Sequence, residues 1–407
     1  MSGAPKPVAR RLTATLFAGV AISRTGYIAA ITVVTLVAKD MLGSATWAGL
    51  PGAVSVLGSA LGSTRLSALM ERHGRRPGIA GGYAMMALGG AGAATATAIG
   101  SFCVLIVAMA VFGFGASADN LGRYAAADVH PPARRGTAIA FVVWAGTIGS
   151  VVGPSLLGPA EDLGTALGIE PLAGGFLLAV IGALAAMAVI QVLLRPDPLT
   201  FADRGDPLEP STTGRVPMSH AALTALTALA IGQVVMVVIM AMTPIHVRDH
   251  GHGLGTVGVI ISAHTLGMFA VSPITGLLAD RLGRVPVIVT GHLILAVSAL
   301  LAAVADPAAS GVLTVALFLL GLGWNFSFVG GSALLSDGLL PALRVRRQGQ
   351  GDSVVWVGGA VASLASGFVL AASSYAVLCF VGAALTVVPL MVVTGGRRLA
   401  AQRSDSA

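Results

Sequence analysis

Long apolar runs separated by short polar stretches extend along the chain from residue 12 to residue 395. Each run is about 20 residues long, the length that a helix needs to cross the hydrocarbon core of a bilayer. Apolar and polar positions do not alternate within the runs, so the pattern favours helices over the strands of a membrane barrel. We therefore predict twelve spans, at residues 13–37, 48–70, 78–99, 102–126, 137–158, 172–194, 218–245, 256–278, 286–305, 309–335, 350–371 and 374–394.

Composition agrees with an all-α membrane protein. Of the 407 residues, 55% are hydrophobic and 10% are charged, whereas a soluble chain carries about 25% charged residues. The 54 glycines suit helices that pack closely in lipid, where small residues let backbones approach one another.

The charges predict the orientation. Of the 24 Lys and Arg residues, all except Arg24, Lys39 and Arg248 fall on one side of the predicted spans. Positive residues concentrate on the cytoplasmic side, so we expect a multi-pass protein of the cell membrane with both termini cytoplasmic. The net charge of +7 then reflects topology and does not indicate a nucleic-acid partner. We find no Walker loop, HExxH motif or nucleophile elbow, and we expect no enzymatic activity.

The two halves of the chain repeat each other. The stretch from Glu71 to Pro77 matches the stretch from Asp280 to Pro286, at an offset of 280 − 71 = 209. Asp128 corresponds to Asp337 at the same offset, 337 − 128 = 209. Six spans followed by six spans of the same orientation form a parallel internal repeat. We predict an N-terminal bundle at 1–195, a cytoplasmic linker at 196–217 and a C-terminal bundle with a short tail at 218–407.

Two motifs resemble those of the major facilitator superfamily of transporters. The stretch Gly276 to Pro286 is similar to the family's loop motif G-x-x-x-D-R-x-G-R, and its first copy has Ser67 and Glu71 in place of Gly and Asp. In span five, Gly149, Gly153, Pro154 and Gly158 are similar to the Gly-Pro motif of the proton-driven antiporters. The resemblance implies two pseudo-symmetric six-helix bundles that work by alternating access. Helix bending in span five, and kinks at Pro244 and Pro273, are further expectations.

Arg24 lies near the middle of span one, where a charge is costly and needs a partner or a water-filled cavity. Asp119 in span four is the expected partner, and we predict that the pair, with the adjacent Asn120, couples substrate to protons. The alternative is that Asp119 pairs with Arg123, one turn along the same helix. Gln233 is the repeat mate of Arg24, since 233 − 24 = 209.

Further polar and aromatic residues fall within the spans of the C-terminal half. His264 is a candidate for a pH or coupling role, although a plain polar role is the competing interpretation. Trp324 and Asn325 offer an indole and an amide to a planar or amphipathic substrate, and simple packing is the competing interpretation for Trp324. We predict no metal site.

The repeated loop charges suggest a cytoplasmic latch, because the resemblance implies that they join helix ends there. Its members would be Glu71, Arg75, Asp128, Asp280, Arg281, Gly283, Arg284 and Asp337. Acid and base four residues apart would pair if the loop is helical. Topology signalling alone is the competing explanation.

From these observations we expect a monomeric secondary transporter that exports a small amphipathic organic compound in exchange for protons. The proton gradient would supply the energy, with no cofactor, and the lipid bilayer and the substrate would be the partners. Proton-coupled uptake of a small metabolite is the first alternative. A membrane sensor or scaffold that does not transport is the second.

Overall fold

A computed structural model describes residues 4–43, 47, 49–202, 218–251, 254–306, 310–339 and 343–394, with the backbone alone at 154, 248, 254 and 255. Within these residues lie fourteen α-helices that we number, a further helical segment at 387–394, two single-turn 3-10 helices, Pro132–Arg134 and Pro198–Thr200, and no β-strand. The α-helices are α1 (Lys6–Leu42), α2 (Leu50–His73), α3 (Arg75–Ile99), α4 (Phe102–Asp128), α5 (Arg135–Ser155), α6 (Leu157–Ala166), α7 (Ala173–Leu193), α8 (His220–Asp249), α9 (Leu254–Phe269), α10 (Ser272–Leu282), α11 (Arg284–Val304), α12 (Ser310–Gly338), α13 (Arg344–Ala372) and α14 (Tyr375–Leu385).

The predicted all-helical membrane architecture is confirmed. In the described part of the chain, eleven segments are helical, long and apolar enough to cross a membrane. The one remaining predicted span, 78–99, corresponds to α3, whose 25 residues are also sufficient in length. α3 is rich in Gly and Ala, which are less apolar than Leu or Val, and its small side chains suit close helix packing.

Three of the predicted spans are interrupted. Span five divides at Leu156, two residues after Pro154, into α5 and α6, and span twelve divides at Thr386, after the end of α14. Span eight divides between Phe269 and Ser272, so Pro273 lies in the first turn of α10 and not inside a helix as expected. Proline suits a first turn because its missing N–H is not needed there. Pro244 does lie inside a helix, α8.

Backbone contacts divide the chain into two units, which differ in two segments from the domains predicted above. Unit 1 comprises Met1–Pro131, Phe141–Arg204 and Leu343–Val357. Unit 2 comprises Pro132–Ala140, Gly205–Ala342 and Gly358–Ala407. The start of the predicted linker packs on unit 1 through the buried Leu199. The rest of the linker, at 203–217, and the tail, at 395–407, lie outside the described residues.

Each unit has the same internal packing. In unit 1, α4 packs against α1, α2 and α3, and α1 packs against α7. In unit 2, α12 packs against α8, α9 and α11, and α8 packs against α14. The helices that pack together in unit 1 correspond to those that pack together in unit 2. The repeat seen in the loop sequences is therefore also present in the helix packing of the two units.

Glycines set the closest helix crossings in both units. A Cβ on Gly58 of α2 would lie 2.2 Å from the carbonyl oxygen of Ala110 in α4. A Cβ on Gly267 of α9 would lie 2.3 Å from that of Phe318 in α12. The two glycines occupy equivalent positions, since 267 − 58 = 209. The backbones therefore touch where no side chain fits, as small residues allow in membrane helices.

Gly58→Ala and Gly267→Ala should each lower thermal stability in detergent, because the added methyl group meets a backbone carbonyl that cannot rotate away. Overpacking of this kind costs about 1–3 kcal/mol. Gly52→Ala and Gly258→Ala are matched controls on the same helices, since a Cβ there meets no described atom within 4 Å. Equal melting temperatures for the test and control variants would contradict this account of the crossings.

Candidate functional site

A buried ion pair joins α1 to α4 in unit 1. Arg24 Nε lies 3.1 Å from Asp119 Oδ2, and the two side chains are 22% and 1% exposed. Arg24 also donates a hydrogen bond of 2.9 Å to Asn120 Oδ1. Its guanidinium lies 5.4 Å from the ring centre of Tyr27, within the range of a cation–π contact. The structure therefore brings together Arg24, Asp119 and Asn120, as the sequence predicts.

The carboxyl group of Asp119 is incompletely satisfied. Among the described residues, neither of its oxygens has a hydrogen bond of acceptable geometry, and the same is true of the Tyr83 hydroxyl. The hydroxyl groups of Tyr83 and Ser23 are nevertheless close enough to interact with this carboxyl. A buried charge with one ionic partner and unfilled lone pairs is costly to keep ionised, because burial disfavours the charged form.

Two of the span-five glycines lie against the backbone of α1 at this pair. A Cβ on Gly149 would lie 2.5 Å from Arg24 Cβ, and one on Gly153 would lie 2.8 Å from the carbonyl oxygen of Thr25. Gly158 has no such neighbour, because a Cβ there meets no described atom within 4 Å. The side chain of Pro154 lies outside the described residues. Gly149 and Gly153 thus let α5 approach α1 beside Arg24.

Arg123 does not pair with Asp119, the alternative that the sequence left open. Arg123 Nη2 lies 2.6 Å from Asp352 Oδ1 on α13, and both side chains are 2% exposed. The Tyr124 hydroxyl donates to the same carboxylate oxygen at 3.1 Å. Asp352 belongs to unit 1 because α13 contributes Leu343–Val357 to that unit.

The proposed latch residues of unit 1 are only partly brought together. Arg75 Nε lies 2.8 Å from Asp128 Oδ2, and Arg75 Nη2 donates to Gln348 Oε1 at 2.9 Å. Glu71 makes no ion pair with any residue that the structure describes. Gly74 ends α2 with a φ of 103°, so Glu71 and Arg75 lie on different helices, and the guanidinium of Arg75 is bound by Asp128 and Gln348 instead. The expected pairing of these two residues on one helical loop is therefore wrong.

The latch residues of unit 2 are brought together more completely. Arg284 lies 3.2 Å from Asp280 and 3.1 Å from Asp337. Asp337 also accepts from Arg135 at 2.7 Å. The carboxylate of Asp280 accepts the backbone N–H groups of Gly136 and Thr137, at 2.9 and 2.8 Å, and so caps the start of α5.

The remaining two loop positions have different surroundings. Arg281 is exposed and forms no ion pair among the described residues. Gly283 has a φ of 96°, a conformation that favours glycine, and it separates α10 from α11.

Gln233 and Trp324 meet in unit 2, where the indole N–H donates to Gln233 Oε1 at 2.8 Å. Trp324 stacks on Phe328 with ring centres 4.4 Å apart and makes an edge contact with Phe269 at 6.0 Å. The three rings and one amide form an aromatic cluster on α8, α9 and α12.

Asn325 and His264 are occupied by helix packing. Asn325 is fully buried, and its amide nitrogen donates to Met268 O and Ser272 Oγ, each at 2.7 Å. These bonds satisfy polar groups at the break between α9 and α10. His264 lies 3.0 Å from the carbonyl oxygen of Leu317 through Nδ1, which joins α9 to α12. A substrate role for Asn325 is therefore less well supported by the geometry than a structural one.

Sequence reasoning missed Asp197 and Asp352. Asp197 accepts the backbone N–H groups of Arg75 and Arg76, at 3.0 and 2.9 Å, and caps α3. It looked like part of a polar linker. Asp352 lies at the start of an apolar run, and an acid within a span is a signal that could have identified it. Among the described residues, no three His, Cys, Asp or Glu side chains are grouped to bind a metal ion.

Comparison with known proteins gives a consistent result. The family model described as Major Facilitator Superfamily matches residues 16–256 and 224–404. The uncharacterised MFS-type transporter YdeG of Bacillus subtilis (strain 168) is 36% identical over 382 residues, which cover 91% of this chain and 89% of that protein. The riboflavin transporter RfnT of Brucella anthropi is 32% identical over 354 residues, covering 84% and 85%.

Among solved structures, the human organic anion transporter MFSD10 matches 94% of this chain and 99% of its own, with a TM-score of 0.75 and 16% identity. This likeness concerns the fold alone. The relatives named above are transporters, and the family match covers most of the chain on both sides of the linker. The chain therefore belongs to the Major Facilitator Superfamily and is a membrane transporter, not an enzyme.

Proposed function

We propose that the protein exports a small amphipathic organic compound in exchange for protons, as a monomer in the cell membrane with both termini cytoplasmic. The observation that carries this proposal is the buried pair of Arg24 and Asp119, in which the carboxyl oxygens lack hydrogen bonds. The proton gradient supplies the energy and no cofactor takes part.

The coupling step follows from charge balance. Arg24 favours the ionised form of Asp119, while burial favours the neutral acid. When Asp119 takes up a proton, Arg24 loses its ionic partner and is available to an electron-rich group of the substrate. The 22% exposure of the Arg24 side chain supports this role, since a charge at this depth requires polar surroundings. Proton and substrate thus alternate at one site.

Aromatic side chains in both units support a planar substrate. In unit 1, the rings of Phe17, Phe141 and Trp144 lie with centres 4.7–5.9 Å apart, and Trp144 is 37% exposed. Phe17 precedes Arg24 by two helical turns and so lies on the same face of α1. In unit 2, Trp324 and Phe328 offer a second stacked surface. The similarity to a riboflavin transporter makes a flavin-like ring system the first substrate to test.

Transport by purified protein in sealed vesicles tests the function, with riboflavin as the probe. We expect an acidic lumen to drive accumulation, because antiport lets protons leave as the substrate enters. Accumulation driven by an acidic exterior would instead establish symport, the mechanism of the uptake alternative. Binding without accumulation under either gradient would favour a sensor, and neither binding nor accumulation would contradict the flavin-like substrate class.

The buried pair predicts a specific pH dependence. Asp119→Asn should abolish proton-driven accumulation yet retain substrate exchange, because a neutral side chain cannot bind or release a proton. Arg24→Ala should move the pH profile of transport upward by about one unit or more, since the carboxyl group binds a proton more readily without a neighbouring cation. Asp162→Asn, at an exposed acid of α6, is the control and should behave as wild type. An unchanged profile for active Arg24→Ala protein would refute the coupling role.

The latch predicts different effects for its two equivalent acids. Asp280→Asn should lower the transport rate about tenfold with substrate affinity nearly unchanged. The carboxylate accepts two backbone N–H groups, a charged hydrogen bond contributes about 1.5–3 kcal/mol, and about 1.4 kcal/mol corresponds to tenfold. Glu71→Gln should be nearly silent, because Glu71 has no ion pair with a described residue. The transport rate and the substrate affinity should be measured on the same vesicle preparations. Equal transport rates for Asp280→Asn and Glu71→Gln would contradict the assignment of Asp280 to the latch.

A further inference from the structure

Helix α4 carries two opposite charges one turn apart that do not pair with each other. Asp119 takes its partner from α1, with Arg24 Nε at 3.1 Å. Arg123 takes its partner from α13, with Asp352 Oδ1 at 2.6 Å. An acid four residues before a base is the favourable order for pairing within a helix. Both external pairs therefore form in place of a pair that the spacing of α4 would permit.

Arg123 also contacts the turn of α4 that carries Asp119. Its Nη1 donates to the carbonyl oxygen of Asn120 at 2.5 Å, and this carbonyl belongs to the turn that carries Asp119. Side chains on a helix point toward its N-terminus, which for Arg123 is the direction of Asp119. A change of rotamer, without movement of the backbone of α4, would bring the two side chains into contact.

Burial makes an exchange of partners the favourable outcome when Asp352 is lost. Asp119, Arg123 and Asp352 are all at most 3% exposed. Removing one member of a buried ion pair leaves an uncompensated charge, which is strongly unfavourable. Asp119 is the acid nearest to Arg123 along α4, and neither of its oxygens accepts a hydrogen bond of acceptable geometry from a described group.

We propose that Arg123 exchanges between Asp352 and Asp119, so that release of Asp352 from unit 1 places a second guanidinium group on Asp119 beside that of Arg24. Arg123 is thus a positioning residue, which acts on the coupling site through Asp119. The consequence for transport rests on the proton-coupled function proposed above. When Asp352 departs, Arg123 and Arg24 share the single negative charge of Asp119, and part of the positive charge of Arg24 becomes available to an anionic or electron-rich substrate group.

Polar groups of several helices surround the two acids. Among the described residues, Asp119 is faced by Arg24 and Tyr27 from α1 and by Tyr83 from α3, and Arg123 lies one turn along its own helix. Around Asp352, α4 contributes Arg123 and Tyr124. One turn away on α13, Gln348 accepts a hydrogen bond from Arg75 of α3. The adjacent Ser353 is hydrogen-bonded to the hydroxyl of Thr64 on α2. Arg75 is held by Asp128, so Arg123 is the cation that can move.

The proposal is tested by titrating Asp119 directly in the purified, full-length protein, without substrate. Infrared difference spectra detect the protonated carboxyl band, and its loss in Asp119→Asn assigns the band to this residue. In Asp352→Asn, Arg123 should turn to Asp119, which then faces two guanidinium groups. A nearby Arg favours the ionised acid by about 1–3 pH units, so the titration midpoint should fall by about one unit or more.

The double variant Arg123→Gln/Asp352→Asn should return the midpoint to the wild-type value, because the second cation is gone. Asp128→Asn is the matched control. It also removes a buried acid from an Arg partner, but Arg75 is not on α4, so the midpoint of Asp119 should not move. Asp352→Ser replaces Asp352→Asn if the latter does not fold.

An unmoved midpoint in the Asp352 variants, or a shift that the double variant does not reverse, would overturn the exchange. The absence of a titrating Asp119 band would overturn it as well. These readings do not depend on transport, so they are separate from the vesicle experiment. A protein without proton-driven transport could still show the exchange, and a proton-driven transporter could lack it.

Discussion

Polar groups that lie at membrane depth must find their partners within the protein, because lipid offers none, and this constraint organises unit 1. Arg24 is placed where a charge is expensive, so α1 and α4 must approach closely enough for Asp119 to reach it. Gly149 and Gly153 then let α5 pack on the same part of α1, since any side chain there would meet its backbone. The position of one charge thus dictates which helices touch and where small residues are required.

The same constraint explains the helix ends at the repeated loops. Gly74 and Gly283 are equivalent, since 283 − 74 = 209, and both have positive φ, at 103° and 96°. At each of these glycines one helix ends and the next begins one residue later. The first N–H groups of the new helix have no partner within that helix. Asp197 satisfies those of α3, whereas Asp280 caps α5 instead. Equivalent backbone turns therefore use different acids, and sequence equivalence does not imply equivalent contacts.

What the sequence could predict depends on whether the cause is local. The spans, the repeat and the pairing of Arg24 follow from hydropathy, from self-similarity and from the cost of a buried charge, all of which are visible in the chain. Asp352 was missed because its partner is 352 − 123 = 229 residues away and the contact exists only after α13 packs on unit 1. Asn325 was assigned to a substrate cavity because the break in span eight, whose polar groups it satisfies, has no clear signal besides Pro273.

Charge balance gives α13 a role that packing alone would not. In unit 1, Arg24, Arg75 and Arg123 each form an ion pair with one carboxylate. Two of these acids, Asp119 and Asp128, lie on α4, but the third is supplied by α13. Without Leu343–Val357, Arg123 would lose its ionic partner Asp352, and loss of one member of a buried ion pair is costly. Movement of that segment and the charge balance of α4 therefore cannot be independent.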